Sequence, residues 1–112
     1  MEIINLSNRK EVEVNINGNE CIVSLSLKNI SHFQESNKIG LQKAVEKMKK
    51  GDLKIILKLI YSMVSDKKTG RVLGYKFFKN FDEIATIEAL APIITELLNK
   101  DMPEAKNENE KK

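Results

Sequence analysis

Few residues in this 112-residue chain are able to do covalent or metal chemistry: it has one cysteine, Cys21, and one histidine, His32. A single Cys forms no intramolecular disulfide, and a single His excludes any site built on two histidines. Paired, they would give a thiolate nucleophile and an imidazole base, but they fall in different predicted elements. Cys21 lies on the apolar face of a strand, which marks it as a small buried hydrophobe. His32 points away from the apolar side of its helix, which marks it as a solvated surface residue. The adjacent carboxylates Asp82-Glu83 fall at a helix start, where they complement the helix dipole. Glu108 and Glu110 fall in a polar tail. The five glycines, at 18, 40, 51, 70 and 74, match neither GxGxxG nor GxxxxGK[ST]. No Asp, Asn and Glu run has calcium-loop spacing. The sequence therefore specifies no catalytic centre, no cofactor and no metal, and it reads as a non-enzyme that binds something.

A chain of 12.8 kDa makes one domain, and at this size one core is feasible without metal or disulfide. No apolar run exceeds three residues (Ile55-Ile56-Leu57 is one), which is too short for a membrane span. Met1-Glu2-Ile3-Ile4-Asn5 lacks the basic start and long apolar run of a secretory signal, so a cytoplasmic protein is expected. The net charge of +3 conceals a partition. Residues 1–37 carry three basic and five acidic groups, 38–79 twelve and three, and 80–112 four and eight, giving −2, +9 and −4. A basic centre suits phosphates or an acidic partner. Yet only one of those twelve cations is Arg (Arg71), and the aromatics do not alternate with the lysines as a stacking platform requires. The lysines read first as solvated helix faces. Nucleic-acid binding is the runner-up.

The elements that position these residues predict an α+β fold, mainly α: an N-terminal β-hairpin followed by a bundle of four to five short helices. Residues 11–16 alternate Glu11, Glu13 and Asn15 with Val12, Val14 and Ile16, the period of a half-buried strand. Asn17-Gly18 tolerates the positive φ of a tight turn. Alternation then resumes through Cys21, Val23, Leu25 and Leu27, so the hairpin spans about 11–26. Leu27, Ile30 and Phe33 share one side of a helix over 27–36 capped by Ser26. Leu41, Ala44, Val45 and Met48 stripe a second helix, 40–50, stopped by Gly51.

Asp52 caps a central helix over 53–65. Its apolar residues Leu53, Ile55, Ile56, Leu57, Leu59, Ile60, Tyr61, Met63 and Val64 cover about two-thirds of the circumference. Lys54, Lys58, Ser62 and Ser65 form the polar seam. Such a helix is either the beam of the core or shared between the core and a partner. Residues 66–70 read as a loop, and 74–80 as a short helix in a stretch holding four of the six aromatics (Tyr75, Phe77, Phe78, Phe81). A last helix over 86–100 carries Ile87, Leu90, Ala91, Ile93, Ile94, Leu97 and Leu98, with Pro92 expected to kink or split it. One domain thus covers 1–104, and 105–112 reads as a disordered charged tail.

In this order, the elements resemble the small tail assembly chaperones of long-tailed (siphovirus-type) bacteriophages and prophages. The resemblance covers about residues 10–104. It rests on the hairpin Val14-Asn15-Ile16-Asn17-Gly18-Asn19-Glu20, the helix start Ser26-Leu27-Lys28-Asn29-Ile30 and the break Gly51-Asp52-Leu53. It rests also on the apolar central helix and the closing Glu96-Leu97-Leu98-Asn99-Lys100-Asp101-Met102-Pro103-Glu104. Phe77-Phe78 and the basic bias of 38–79 map onto no family pattern. The resemblance implies a non-catalytic role in the bacterial host cytoplasm. The chain would bind and solubilise the tape measure protein, help recruit tail tube subunits, and be absent from the mature virion. It also implies a longer, frameshifted form, and a homo-oligomer is a further possible partner. From the residues themselves, Ile55, Leu59 and Met63 with Phe77, Phe78 and Phe81 are the candidates for client contact or self-association, with plain core packing as the alternative. A nucleic-acid-binding regulator using 38–79 and a structural virion protein are the competing functions.

Overall fold

Alternation at 11–16 becomes strand β1 (Glu11–Ile16), hydrogen-bonded antiparallel to β2 (Asn19–Ser24) in the computed structural model, which describes residues 2–3 and 11–101. The tail expected at 105–112, and residues 102–104, lie outside the described residues. Asn17 and Gly18 take φ of 51° and 90°, both left-handed, as a two-residue turn that follows the strand twist demands. The Asn15 side chain accepts from the Gly18 amide and holds the turn.

Five helices follow, in the order α1 (Leu27–Asn37), α2 (Leu41–Lys49), α3 (Leu53–Met63), α4 (Gly74–Phe78) and α5 (Glu83–Asp101). Ser26 caps α1 through the Asn29 amide, and Asp52 caps α3 through the Ile55 amide at 3.2 Å. Gly51, with φ 86°, turns the chain out of α2, and its amide and that of Asp52 take up the carbonyls of Met48 and Lys47. The fold class is therefore α+β with a predominance of helix.

Three expectations need correction. The central helix ends at Met63 rather than at residue 65, and Val64–Asp66 form a third strand, β3. The β-branched Val64 takes φ −105° and ψ 127° and pairs with Val23, while Ser65 and Asp66 pair with Ile22 and Cys21. A helical continuation would have left that edge of β2 without hydrogen-bond partners. The sheet order is β1-β2-β3, with the far side of β3 covered by Leu73 and Arg71, which bond Val64 and Asp66. Second, Pro92 does not split the last helix, which runs unbroken from Glu83. Its ring and Glu88, whose carbonyl loses its donor, both lie on the exposed face, open to water. The helix starts where Asp82-Glu83 is expected to mark a helix start, with Asp82 accepting from the Ala85 amide at 2.8 Å. Third, Leu27 is 76% exposed instead of sharing the buried side of α1. Asn29 takes the inward position beside Phe33.

Helix α3 is the centre of the core and packs against α1, α2, α4 and α5. Leu59, Ile60 and Met63 meet Phe33 of α1, Ala44 and Val45 of α2, and Leu90, Ile94 and Leu97 of α5 in one buried cluster, which the apolar face of β2 completes with Cys21 and Val23. Helix α5 also packs against β2. The outermost strand, β1, keeps its apolar residues only half-buried.

Candidate functional site

The six residues singled out for client contact separate by burial. Ile55, Leu59, Met63 and Phe78 are all interior, none more than 7% exposed, so Ile55, Leu59 and Met63 offer a client no face and Phe78 offers only the 2% it leaves at the bottom of a concavity. For these four the core-packing alternative holds, for a physical reason: α1, α2, α4 and α5 all pack around α3. Phe77 and Phe81 stay half-buried. They stack edge to face on each other and on Phe78, with ring centroids 5.0–6.0 Å apart.

Phe78 and Phe81 form the floor of a concavity of about 630 Å³ between β1 and α5. The strand supplies Val14 and Ile16 as one wall, and the helix supplies Ala85, Ala89 and Ile93 as the other. The spacing of 85, 89 and 93 sets these side chains one turn apart along one face of α5. Two of the three are alanines, so the wall stops short of β1. Asn15, Asn80 and Asp82 give a polar rim. An open, mostly apolar trough of this kind suits an apolar segment with polar ends. Sequence reasoning missed Ala85 and Ala89 because small residues outside the main apolar stripe carry no signal of their own.

A second departure concerns the polar seam of α3. Lys54 and Lys58 are exposed, but Ser62 and Ser65 are buried. The Asn29 side chain donates to the Ser62 carbonyl at 2.7 Å and to Ser65 Oγ at 3.0 Å, and Ser26 and Asn29 bond through their side chains. His32 is half-buried rather than solvated, its Nδ1 2.8 Å from Ser62 Oγ. A serine beside an imidazole meets the first geometric requirement of a nucleophile–base pair. However, Ser62 is 1% exposed, and among the described residues nothing orients the other ring nitrogen. The cluster ties α1 to the point where α3 becomes β3, which is a structural task.

Cys21 is completely buried, and burial, with the Asp66 carboxylate second, pushes its thiol pKa up. Thiolate is the reactive form. The native protein is therefore expected to react with a thiol reagent at pH 8 at least about tenfold more slowly than the denatured chain, and equal rates would contradict this placement. Asp66 anchors the 66–70 turn by accepting from the Thr69 amide at 2.8 Å, and hydrogen bonds from the Thr69 amide and hydroxyl hold its carboxyl below the usual range. The folded state then binds this proton less readily than the unfolded state does. The resulting stability is present above the ordinary carboxylate range and is lost as pH falls through the lowered pKa. Asp66→Asn should lower Tm at neutral pH, with the gap to the parent closing toward pH 3. A gap independent of pH would contradict the assignment.

Among the described residues no three His, Cys, Asp or Glu side chains are grouped to hold a metal, and no helix is long and apolar enough to cross a membrane. No protein-family model, curated protein or solved structure matches the chain.

Proposed function

We propose that the chain is a non-catalytic tail assembly chaperone that binds the apolar, helical tape measure protein and keeps it soluble during tail morphogenesis. The observation that carries this reading is the open apolar trough between β1 and α5, which has two half-exposed walls and a floor of Phe78 and Phe81. An amphipathic helix laid in such a trough would bury its apolar face there and leave its polar face in water. The resemblance in element order supports the same role. Tail tube subunits and a longer frameshifted form are the further proposed partners, and the host cytoplasm is the proposed site of action. Co-expression tests the reading: a tape measure protein encoded beside this chain should move from the insoluble to the soluble fraction and co-purify with it. A tape measure that stays insoluble overturns the proposal.

One observation favours a second reading. Lys43, Lys49, Lys50, Lys54 and Lys58 are exposed on α2, on α3 and in the turn between them, and none has an ion-pair partner among the described residues. Such a concentration of cations attracts polyanions. A nucleic-acid regulator built on it would shift duplex DNA or RNA in a gel at low salt and release it steeply as salt rises.

A further inference from the structure

The hydrogen-bonding edge of β1 points to its own occupant. The Glu20 carbonyl accepts from the Lys67 amide at 3.0 Å and so faces away from β1. Its cross-strand partner, Asn15, therefore turns its own amide and carbonyl away from β2, and alternation gives Glu13 and Glu11 the same orientation. Among the described residues no strand takes up these groups. The trough lies on this open side: β1 lines it and neither β2 nor β3 does. It occupies the space that the inward side chains of a further strand would fill.

We propose that a second copy of this chain supplies that strand, β1 pairing antiparallel with β1 of the partner copy about a two-fold axis at Val14. The register follows from side-chain chemistry. Matching apolar face to apolar face allows only registers in which odd residues oppose odd ones. Setting Glu13 against its own mate, or against Glu11, puts like charges opposite each other, which is destabilising. The longest register free of that conflict opposes Val14 to Val14, Val12 to Ile16 and Glu13 to Asn15. All inward residues are then apolar and no Glu faces a Glu. Lys67, 3.1 Å from Glu13, already offsets part of the remaining acidity on the outer face. The product is a continuous six-stranded sheet in which Val12, Val14 and Ile16 of each copy extend over the other's trough. The inference does not rest on the chaperone reading, and either one survives failure of the other; where both hold, the partner strand covers the trough in the client-free dimer and a client displaces it.

Crosslinking tests both the partner and the register. Val14 pairs with Cys21 in its own chain, so Val14→Cys is made together with Cys21→Ala. Opposed residues of a non-hydrogen-bonded antiparallel pair have Cα atoms about 4.5 Å apart, within reach of a disulfide. Val12→Cys in the same background places its two sulfurs four residues out of step, roughly 14 Å apart, beyond that reach. The expected result is an oxidised dimer from Val14→Cys and none from Val12→Cys. The unsubstituted full-length protein should also show twice its 12.8 kDa chain mass by light scattering. A monomer at every concentration up to millimolar, a crosslink at both positions, or a crosslink at neither overturns the proposal. So does a full-length monomer that dimerises only after residues 1–10 are removed, which would assign the edge to the chain's own N-terminal segment.

Discussion

Leu59→Ala is expected to lower the unfolding free energy by roughly 2–5 kcal/mol, the range for deleting a fully enclosed leucine side chain. Leu59 is completely buried at the middle of α3, the helix against which all four other helices pack. The surrounding side chains come from α1, α2, α5 and β2, so collapse into the gap would have to move several elements together. Small domains have a total stability of only about 5–15 kcal/mol, and the loss should appear as a lower urea midpoint with an unchanged slope. Leu53→Ala on the same helix is the comparison, because Leu53 is about half exposed; its cost should stay within about 0.5 kcal/mol. Equal midpoints for the two variants would contradict the placement of α3 as the central beam.

The second large effect is expected at a polar residue. Asn29→Ala removes the side chain that bonds the Ser62 carbonyl and Ser65 Oγ in the interior. The groups left behind are buried and keep no route to water, which costs roughly 1–3 kcal/mol beyond the lost packing. The cost should be localised: amide exchange at Val64–Asp66 should accelerate more than exchange in β1, because Asn29 fastens the end of α3 where the chain changes from helix to strand. Asn37→Ala, which gives up one bond to the Phe33 carbonyl at a half-exposed position, is the matched control. Asn29→Ala and Asn37→Ala variants of equal stability would contradict the role assigned to this cluster.

Where local chemistry decides the structure, the sequence is readable. Period-two alternation and Asn17-Gly18 need no distant partner to define the hairpin, and Ser26, Gly51 and Asp52 mark helix ends through their own hydrogen bonds and φ angles. Distant decisions are not readable in this way. Met63, Val64 and Ser65 continue the helical spacing of α3, and only the waiting edge of β2 converts Val64–Asp66 to strand. Ser62 and Ser65 read as part of a helical polar seam with two lysines; Asn29, arriving from α1, makes their burial tolerable. Of the six residues chosen for client contact, the wide apolar arc of α3 drew attention to three that the core consumes. The trough was missed because its walls come from opposite ends of the chain and two of its wall residues are alanines.

The central claim, that the β1–α5 trough is the client site, is tested most directly by titrating an apolar helical segment of a tape measure protein into this chain and into Ala89→Arg. Ala89 is exposed on the helical wall of the trough, so the substitution should leave Tm unchanged while filling the site with a long charged side chain. The expected result is measurable binding by the parent and at least tenfold weaker binding by the variant, about 1.4 kcal/mol. Equal affinities, or no binding by the parent, would contradict the account.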